Sequence, residues 1–211
     1  MSNTPPVRSL GAISTSRIEA FSDGVFAIAT TLLVLEIAVP RVEEGEDLFV
    51  ALLNLWPSYL AYLVSFLTIG IMWINHHFLI GLFQRVNRPL LFLNLGLLAV
   101  VSFIPFPTAV LAEYLPEGSG PQLSAATTLY GVVMLLLTVM FALLWRHAGR
   151  ATDELRDADA TRPIIRRALR FTIAAASAYV TAIVVAAFVP IVALALFAVV
   201  VLLFAFGRLA K

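Results

Sequence analysis

The sequence from residue 17 to residue 40 reads RIEAFSDGVFAIATTLLVLEIAVP. It decides the fold because it holds a mostly apolar run of about 20 residues, the length that an α-helix needs to cross a bilayer. Residues 1–13 are polar and lack the apolar core and small-residue cleavage site of a signal peptide. We therefore expect 1–13 to be a flexible cytoplasmic N-terminus and the first membrane span, at 17–39, to be retained.

The composition of the whole chain agrees with a membrane protein. Of 211 residues, 61% are hydrophobic and 13% are charged, whereas soluble domains average roughly 45–50% apolar and about 25% charged residues. This balance excludes a soluble enzyme, a nucleic-acid-binding protein and a disordered chain, so we expect no nucleic-acid partner. The chain has no Cys, which excludes disulfides, thiolate metal sites and cysteine nucleophiles.

Apolar runs, and the residues that interrupt them, predict an all-α membrane protein with one six-helix unit over 14–211. The spans are 17–39, 49–82, 89–112, 122–147, 168–188 and 190–207. The second span is longer than a bilayer is thick, so it should tilt or project. Residues 146–170 carry both signs of charge and predict a solvated, partly helical connector. Pro190 divides the last apolar run, where a turn and a kink look alike in sequence.

The distribution of basic residues predicts the topology. With six spans, 13 of the 14 basic residues lie on the side of the two termini, and only Arg41 lies on the other. The positive-inside rule then places both termini in the cytoplasm. The basic residues on that side are Arg8, Arg17, Arg85, Arg88, Arg146, Arg150, Arg156, Arg162, Arg166, Arg167, Arg170, Arg208 and Lys211.

Ionisable groups are costly within a membrane span and are therefore candidates for function. Those in the predicted spans are Glu19, Asp23, Glu36, His76 and His77, accompanied by the amides of Asn75 and Asn94. Counting from the basic residue at each helix end, Asp23 and Asn94 lie about 9 Å deep and His76 about 13 Å deep. Three antiparallel helices thus place polar groups at similar depth, where Trp73 can donate its indole N–H to them.

Two interpretations of this polar cluster remain open. Buried polar side chains often serve only to fix the register of packed membrane helices. Alternatively, the Asp23 and His76 groups take a direct part in moving ions or protons.

On a helical wheel, span 1 has a second face, distinct from the one that carries Asp23. Gly24, Ile28, Thr31 and Leu35 fall within about 60° of one another, with Leu32 at their flank and Asp23 about 100° away. Ordinary lipid contact or helix packing also accounts for such a stripe. Near the outer end of the span, Glu36 either pairs with Arg41 or attracts cations to an outer mouth.

Four segments resemble the lysosomal potassium channel family, transmembrane protein 175. The signature R-x-x-x-F-S-D is matched at Arg17, Phe21, Ser22 and Asp23. TTLLVLEIAVP at 30–40 resembles the end of the family's first helix, and MWINHHFL at 72–79 resembles its W-x-N-H-H segment. NRPLLFLNLGLLAVVSFIPFPTAVL at 87–111 resembles its third helix with the P-F-P turn.

The resemblance implies a function and an assembly. It implies a passive, potassium-permeable cation channel in the prokaryotic cell membrane, formed as a homotetramer and lacking the T-V-G-Y-G filter of ordinary potassium channels. Helix 1 would line the pore, with constriction layers at Ile28, Thr31 or Leu32, and Leu35. The signature residues Arg17 and Asp23 would brace helix 1 together with Trp73 and His76, with Asn75, His77 and Asn94 nearby. No cofactor is implied beyond the permeant K⁺ ions.

Three other classes of function are alternatives to a potassium channel. A membrane enzyme is not expected, because the chain lacks an H-E-x-x-H motif and any cysteine, and the histidine pair has no evident third metal ligand. A small secondary transporter is the next alternative, but 1–113 and 122–211 show no convincing repeat. A proton-conducting channel that uses the Asp23/His76 cluster is the remaining alternative.

Overall fold

The computed structural model describes residues 14–206, and every regular element in that range is helical. The predicted residues 1–13, the basic residues Arg8, Arg208 and Lys211, and the end of the sixth span lie outside the described range. The α-helices are α1 (Thr15–Leu35), α2 (Leu48–Asn54), α3 (Trp56–Gly81), α4 (Arg88–Phe103), α5 (Pro105–Tyr114), α6 (Pro121–Ala148), α7 (Ala158–Ala186) and α8 (Pro190–Phe206).

Five helical segments within the described range are long and apolar enough to cross a membrane. They are Thr15–Leu35, Trp56–Gly81, Arg88–Glu117, Pro121–Ala148 and Ala158–Ala186. A sixth apolar helix, α8, is shorter. The predicted class of a multi-pass, all-α membrane protein is therefore confirmed.

The first span ends earlier than its predicted limit at residue 39. Helix α1 stops at Leu35, and the backbone N–H groups of Glu36 and Ile37 bond to carbonyls only three residues back. Pro40 disfavours the helical conformation for the residue before it. The chain therefore leaves the helix about one turn before the apolar run ends.

Prolines divide the second and third predicted spans. The helix of 49–82 breaks at Leu55, giving α2 and α3, because Pro57 has no N–H for the carbonyl four residues earlier. The helix of 89–112 breaks in the same way at Ile104, ahead of Pro105 and Pro107, giving α4 and α5. Each break replaces one predicted continuous span with two consecutive helices.

The fifth span starts about ten residues before its predicted beginning at 168. Asp157 caps α7, its carboxylate accepting a hydrogen bond from the Ala160 N–H at 2.9 Å. The part of the charged connector from Ala158 onwards is thus helical, as predicted for part of it, and forms the first turns of α7. Around Pro190 the chain forms a turn, since α7 ends at Ala186 and α8 packs against it.

Helix α6 lies at the centre of the packing and contacts α4, α5, α7 and α8. Its side chains Tyr130 and Trp145 are buried in the core. By contrast, α1 packs on α3 and α4 only through one face, and α1 and α7 are the least buried of the five long segments. The protomer therefore leaves most of α1 uncovered.

One end of the bundle carries a contact between two loops. The N–H groups of Gln84 and Arg85 donate to the Glu154 carbonyl at 2.8 and 3.3 Å. Asn87 donates from Nδ2 to Glu154 Oε1 at 3.1 Å. The α3–α4 and α6–α7 connections, both predicted to be cytoplasmic, thus lie together at one end of the molecule.

Candidate functional site

Helix α1 has one buried face. Its members recur at helical spacing and pack on α3 and α4: Ile18, Ser22, Phe26, Ala29 and Leu33. The buried face contains a single polar residue, Ser22, whose side chain is fully buried. Most of the remaining surface of α1 is exposed within the described protomer.

The stripe predicted on the wheel lies on the side of α1 opposite the buried face. Ile28 is 60% exposed and Leu35 is 73% exposed, while Leu32 at the flank is 39% exposed. Thr31 is also exposed, and its hydroxyl donates to the Ile28 carbonyl at 2.9 Å. One line of the α1 surface is therefore apolar except for a single hydroxyl oxygen.

Asp23 lies beside this stripe and contacts α3. Trp73 donates its indole N–H to Asp23 Oδ1 at 2.8 Å. The Trp73 ring also lies against His77, with ring centroids 6.2 Å apart. Because Asp23, Trp73 and His77 are all exposed in the protomer, this contact forms at the edge of the α1–α3 seam rather than in the core.

A second polar group is buried between α1, α3 and α4. Asn94 Oδ1 lies 2.7 Å from His76 Nε2, and Asn94 Nδ2 donates to Ser22 Oγ at 3.0 Å. Since the amide nitrogen is used for Ser22, its oxygen must accept, which puts the proton of a neutral His76 on Nε2. Nδ1 is then a buried acceptor, and no donor in residues 14–206 reaches it.

The structure thus divides the predicted cluster into two groups. Asp23 and His76 are not joined by a hydrogen bond, and Asn75 is buried without bonding to either group within the described chain. No salt bridge joins Arg17 to Asp23 within residues 14–206. At the outer end, Glu36 and Arg41 are both exposed and form no salt bridge in residues 14–206.

Sequence reasoning missed two features. It named Ser22 only as a signature residue, although its hydroxyl links α1 to Asn94. It also missed a buried group of hydroxyls in which Ser65 Oγ lies 2.8 Å from Thr108 Oγ1 and 3.3 Å from the Tyr130 hydroxyl. An isolated Ser or Thr in an apolar helix gives no pairing signal, because it can bond to its own backbone.

Comparison with known proteins places this architecture in a family. The family model described as endosomal/lysosomal potassium channel TMEM175 matches residues 17–105, from the signature arginine to the start of α5. A protein of Streptomyces collinus named as a potassium channel is 51% identical over 149 residues, which are 69% of this chain and 71% of that relative. The chain belongs to the TMEM175 family.

A solved TMEM175 structure has the same fold along nearly the whole chain. The crystal structure of a lysosomal potassium-selective channel TMEM175 homolog from Chamaesiphon minutus matches with a TM-score of 0.77 and 40% identity, covering 92% of this chain and 97% of that one. The predicted resemblance is therefore confirmed. Because TMEM175 is a family of ion channels, the prediction that the chain is not an enzyme is confirmed as well.

An animal TMEM175 protein is similar over a smaller part of its length. The Gallus gallus protein named endosomal/lysosomal proton channel TMEM175 is 33% identical over 162 residues, which are 73% of this chain but 31% of that protein. This chain therefore spans about a third of the animal relative.

Proposed function

We propose that this protein is a passive potassium channel whose pore is lined by α1 from four copies of the chain. Membership of the TMEM175 family supports the channel, as does the similarity to relatives named as potassium channels. The observation that carries the pore assignment is the uncovered apolar stripe of α1, with Ile28 and Leu35 largely exposed opposite the buried face. Lipid can also cover an apolar face, but the position of this face on the helix that carries the family signature favours further copies of α1 as its partner.

The constriction is formed by rings of Ile28 and Leu35 around the axis. Such rings offer no oxygen to replace the hydration shell of an ion, so they gate by narrowing or by dewetting. Ions that lose water at low cost pass most easily, which favours K⁺ over Na⁺. The sequence contains no T-V-G-Y-G segment to supply a carbonyl filter.

We place Thr31 rather than Leu32 in the pore between these rings. Thr31 lies nearer than Leu32 to the middle of the stripe on a wheel of 100° per residue. Its hydroxyl hydrogen is used in the bond to the Ile28 carbonyl, so the oxygen lone pairs are left for a cation. Four such oxygens would provide the one polar layer of an otherwise apolar constriction.

Glu36 is proposed to attract cations at the outer mouth. It follows the last residue of α1, is exposed, and is not neutralised by Arg41 within the described chain. An unpaired carboxylate at each of four helix ends raises the local concentration of cations.

The proposed topology has six membrane helices, with α4 and α5 forming one crossing, and both termini in the cytoplasm of a prokaryotic cell membrane. The bias of 13 of 14 basic residues to one side supports it. The contact of Gln84 and Arg85 with Glu154 supports it too, because it joins two of the connections assigned to that side.

A flux assay with purified protein in liposomes tests the proposal. We expect a potassium gradient to drive K⁺ flux, and we expect Ile28→Asn or Leu35→Asn to raise the flux several-fold or to change the K⁺/Na⁺ ratio, because an amide wets the constriction. Ile173→Asn, at an exposed apolar position of α7, is the matched control and should leave the flux unchanged. A folded protein without K⁺ flux would refute the channel, and unaltered flux in both α1 variants would remove α1 from the pore.

Proton conduction is the second candidate, favoured by the name of the animal relative. Asp23 on α1 and His76 on α3 are the proposed proton-carrying groups, although they belong to separate hydrogen-bonded groups. The same liposomes, loaded with a pH-sensitive dye and clamped at zero potential, distinguish the two cases. Proton flux that is lost in His76→Asn while K⁺ flux persists would establish it as a second activity.

A further inference from the structure

A cavity of about 380 Å³ lies between α3, α5, α6 and α8. Its lining includes Trp56 and Ile191, near the starts of α3 and α8, and Leu115, just after α5, so it lies towards the end of the molecule opposite the loop contact. The described residues that line it are apolar except for the Trp56 indole N–H and the hydroxyls of Ser65 and Tyr130. Binding sites for small molecules have this size and this composition, mostly apolar with a few placed polar groups.

The cavity lies on the side of α3 that faces away from α1. The α3 residues that line it are Trp56, Leu60, Ala61, Val64 and Ser65. On a wheel of 100° per residue they centre about 170° from Trp73, whose indole N–H bonds to Asp23 on α1. In the proposed tetramer the cavity therefore faces away from the axis and towards the surrounding membrane.

Hydrogen bonds fix the direction of the hydroxyls at the cavity wall. Thr108 donates to a backbone carbonyl one turn earlier at 2.9 Å, so its oxygen accepts the Ser65 proton at 2.8 Å. The Ser65 oxygen in turn accepts the Tyr130 proton at 3.3 Å. Thr68, beside them, donates to a backbone carbonyl of its own helix at 2.8 Å and has no proton left for Tyr130. Within the described chain the Tyr130 oxygen therefore keeps its lone pairs as hydrogen-bond acceptors.

We propose that this cavity binds a small apolar alcohol or phenol that enters from the membrane. The ligand hydroxyl donates to the Tyr130 oxygen, and the hydrocarbon body lies among Leu60, Leu194 and Phe197. A lipid acyl chain would also fill the apolar space, but it has no donor and leaves the Tyr130 acceptor unpaired in an apolar environment, which is unfavourable. The inference does not depend on ion conduction.

Two probes that differ only in the hydroxyl test this. The full-length protein in detergent is titrated with propofol, a phenol with two isopropyl groups, or with the matching diisopropylbenzene, and affinity follows from the rise of the unfolding temperature with ligand concentration. We expect the wild type to bind propofol about two- to tenfold more tightly than the hydrocarbon, the ratio that one net hydrogen bond supplies. In Tyr130→Phe, propofol should bind as weakly as the hydrocarbon, while the hydrocarbon affinity stays unchanged. Partition of the probes into the detergent cancels when the two proteins are compared.

A second variant and a control complete the test. Ala198→Trp fills the cavity and should weaken the binding of both probes, whereas Tyr179→Phe, at a buried tyrosine of α7 outside the cavity, should bind both as the wild type does. Equal affinity of the wild type for the two probes, or unchanged propofol affinity in both cavity variants, would overturn the proposal. A phospholipid that the wild type retains in native mass spectrometry and Ala198→Trp releases would assign the cavity to an acyl chain instead. Because every readout is binding, a negative result is distinct from absence of K⁺ flux.

Discussion

Asn94, on α4, links the signature helix α1 to α3 within the buried core. It accepts from His76 Nε2 at 2.7 Å and donates to Ser22 Oγ at 3.0 Å, and all three residues are buried. The signature serine is thus explained by a hydrogen bond rather than by contact with an ion. The neighbouring signature aspartate has a different role, since it bonds to Trp73 at the exposed edge of the seam.

Replacing Asn94 with leucine should destabilise the protein. Asn94→Leu leaves the Ser22 hydroxyl and the His76 N–H without partners in an apolar interior, and we expect a loss of about 1–3 kcal/mol in the free energy of unfolding. The measurement is unfolding of the reconstituted protein by increasing mole fractions of a denaturing detergent.

A matched substitution on α3 provides the control. Asn75 is equally buried but makes no side-chain hydrogen bond in the described chain, so Asn75→Leu should cost less than about 1 kcal/mol. Equal costs at the two positions would mean that the Asn94 bonds contribute no net stability.

At the scale of helices, the sequence predicts the order of the apolar helices better than their ends. Residues 158–170 read as a connector because their mean hydropathy is low, yet Thr161, Ile165 and Ala168 form a buried helical stripe. The breaks at Leu55 and Ile104 follow from proline chemistry that was visible in the sequence at Pro57 and Pro105.

The candidate site was predictable to a similar extent. Counting residues from the helix ends predicts similar depths for Asp23, His76 and Asn94. The helices that carry them, α1, α3 and α4, do meet. Depth alone does not choose partners, because adjacent residues of a helix point about 100° apart. The rotation of α3 about its axis, which gives Trp73 to Asp23 and His76 to Asn94, depends on the packing of all the neighbouring helices.

Arg156, in the α6–α7 connection, binds the carbonyl groups at the C-terminal end of α3. Arg156 donates from Nε to the Gly81 carbonyl at 3.0 Å, and its backbone N–H donates to the Leu82 carbonyl at 2.9 Å. A cation at a helix C-terminus contributes about 0.3–1 kcal/mol, so Arg156→Ala should make local opening roughly two- to fivefold more frequent.

Hydrogen exchange read by mass spectrometry measures that opening. The amides of Gln84 and Arg85, which donate to the Glu154 carbonyl, should exchange faster in Arg156→Ala. Arg150→Ala is the control, because Arg150 is exposed in the same loop and its side chain makes no hydrogen bond in the described chain. Unchanged exchange at these amides would show that the loop contact holds without the guanidinium.

At the scale of the whole molecule, the Asp23–Trp73 bond lies between the face of α1 that packs on its own protomer and the stripe proposed to face the axis. In the proposed tetramer, removing this bond should loosen the orientation of α1 in all four copies at once. A hydrogen bond to a charged group contributes about 1.5–3 kcal/mol, and this one is exposed in the isolated protomer. We therefore expect Asp23→Ala to lower the tetramer fraction at least several-fold, while the tetramers that remain keep the wild-type K⁺/Na⁺ ratio.

Native mass spectrometry of the purified protein gives the tetramer fraction, and flux in liposomes of the isolated tetramer gives the ion ratio. Glu19→Ala is the matched control: Glu19 lies one turn earlier on α1, and its carboxylate makes no hydrogen bond or salt bridge within the described residues. It should leave both readouts unchanged. A stable Asp23→Ala tetramer with an altered K⁺/Na⁺ ratio would instead put the Asp23 carboxylate in the permeation path, because only a group near the ions changes selectivity while leaving assembly intact.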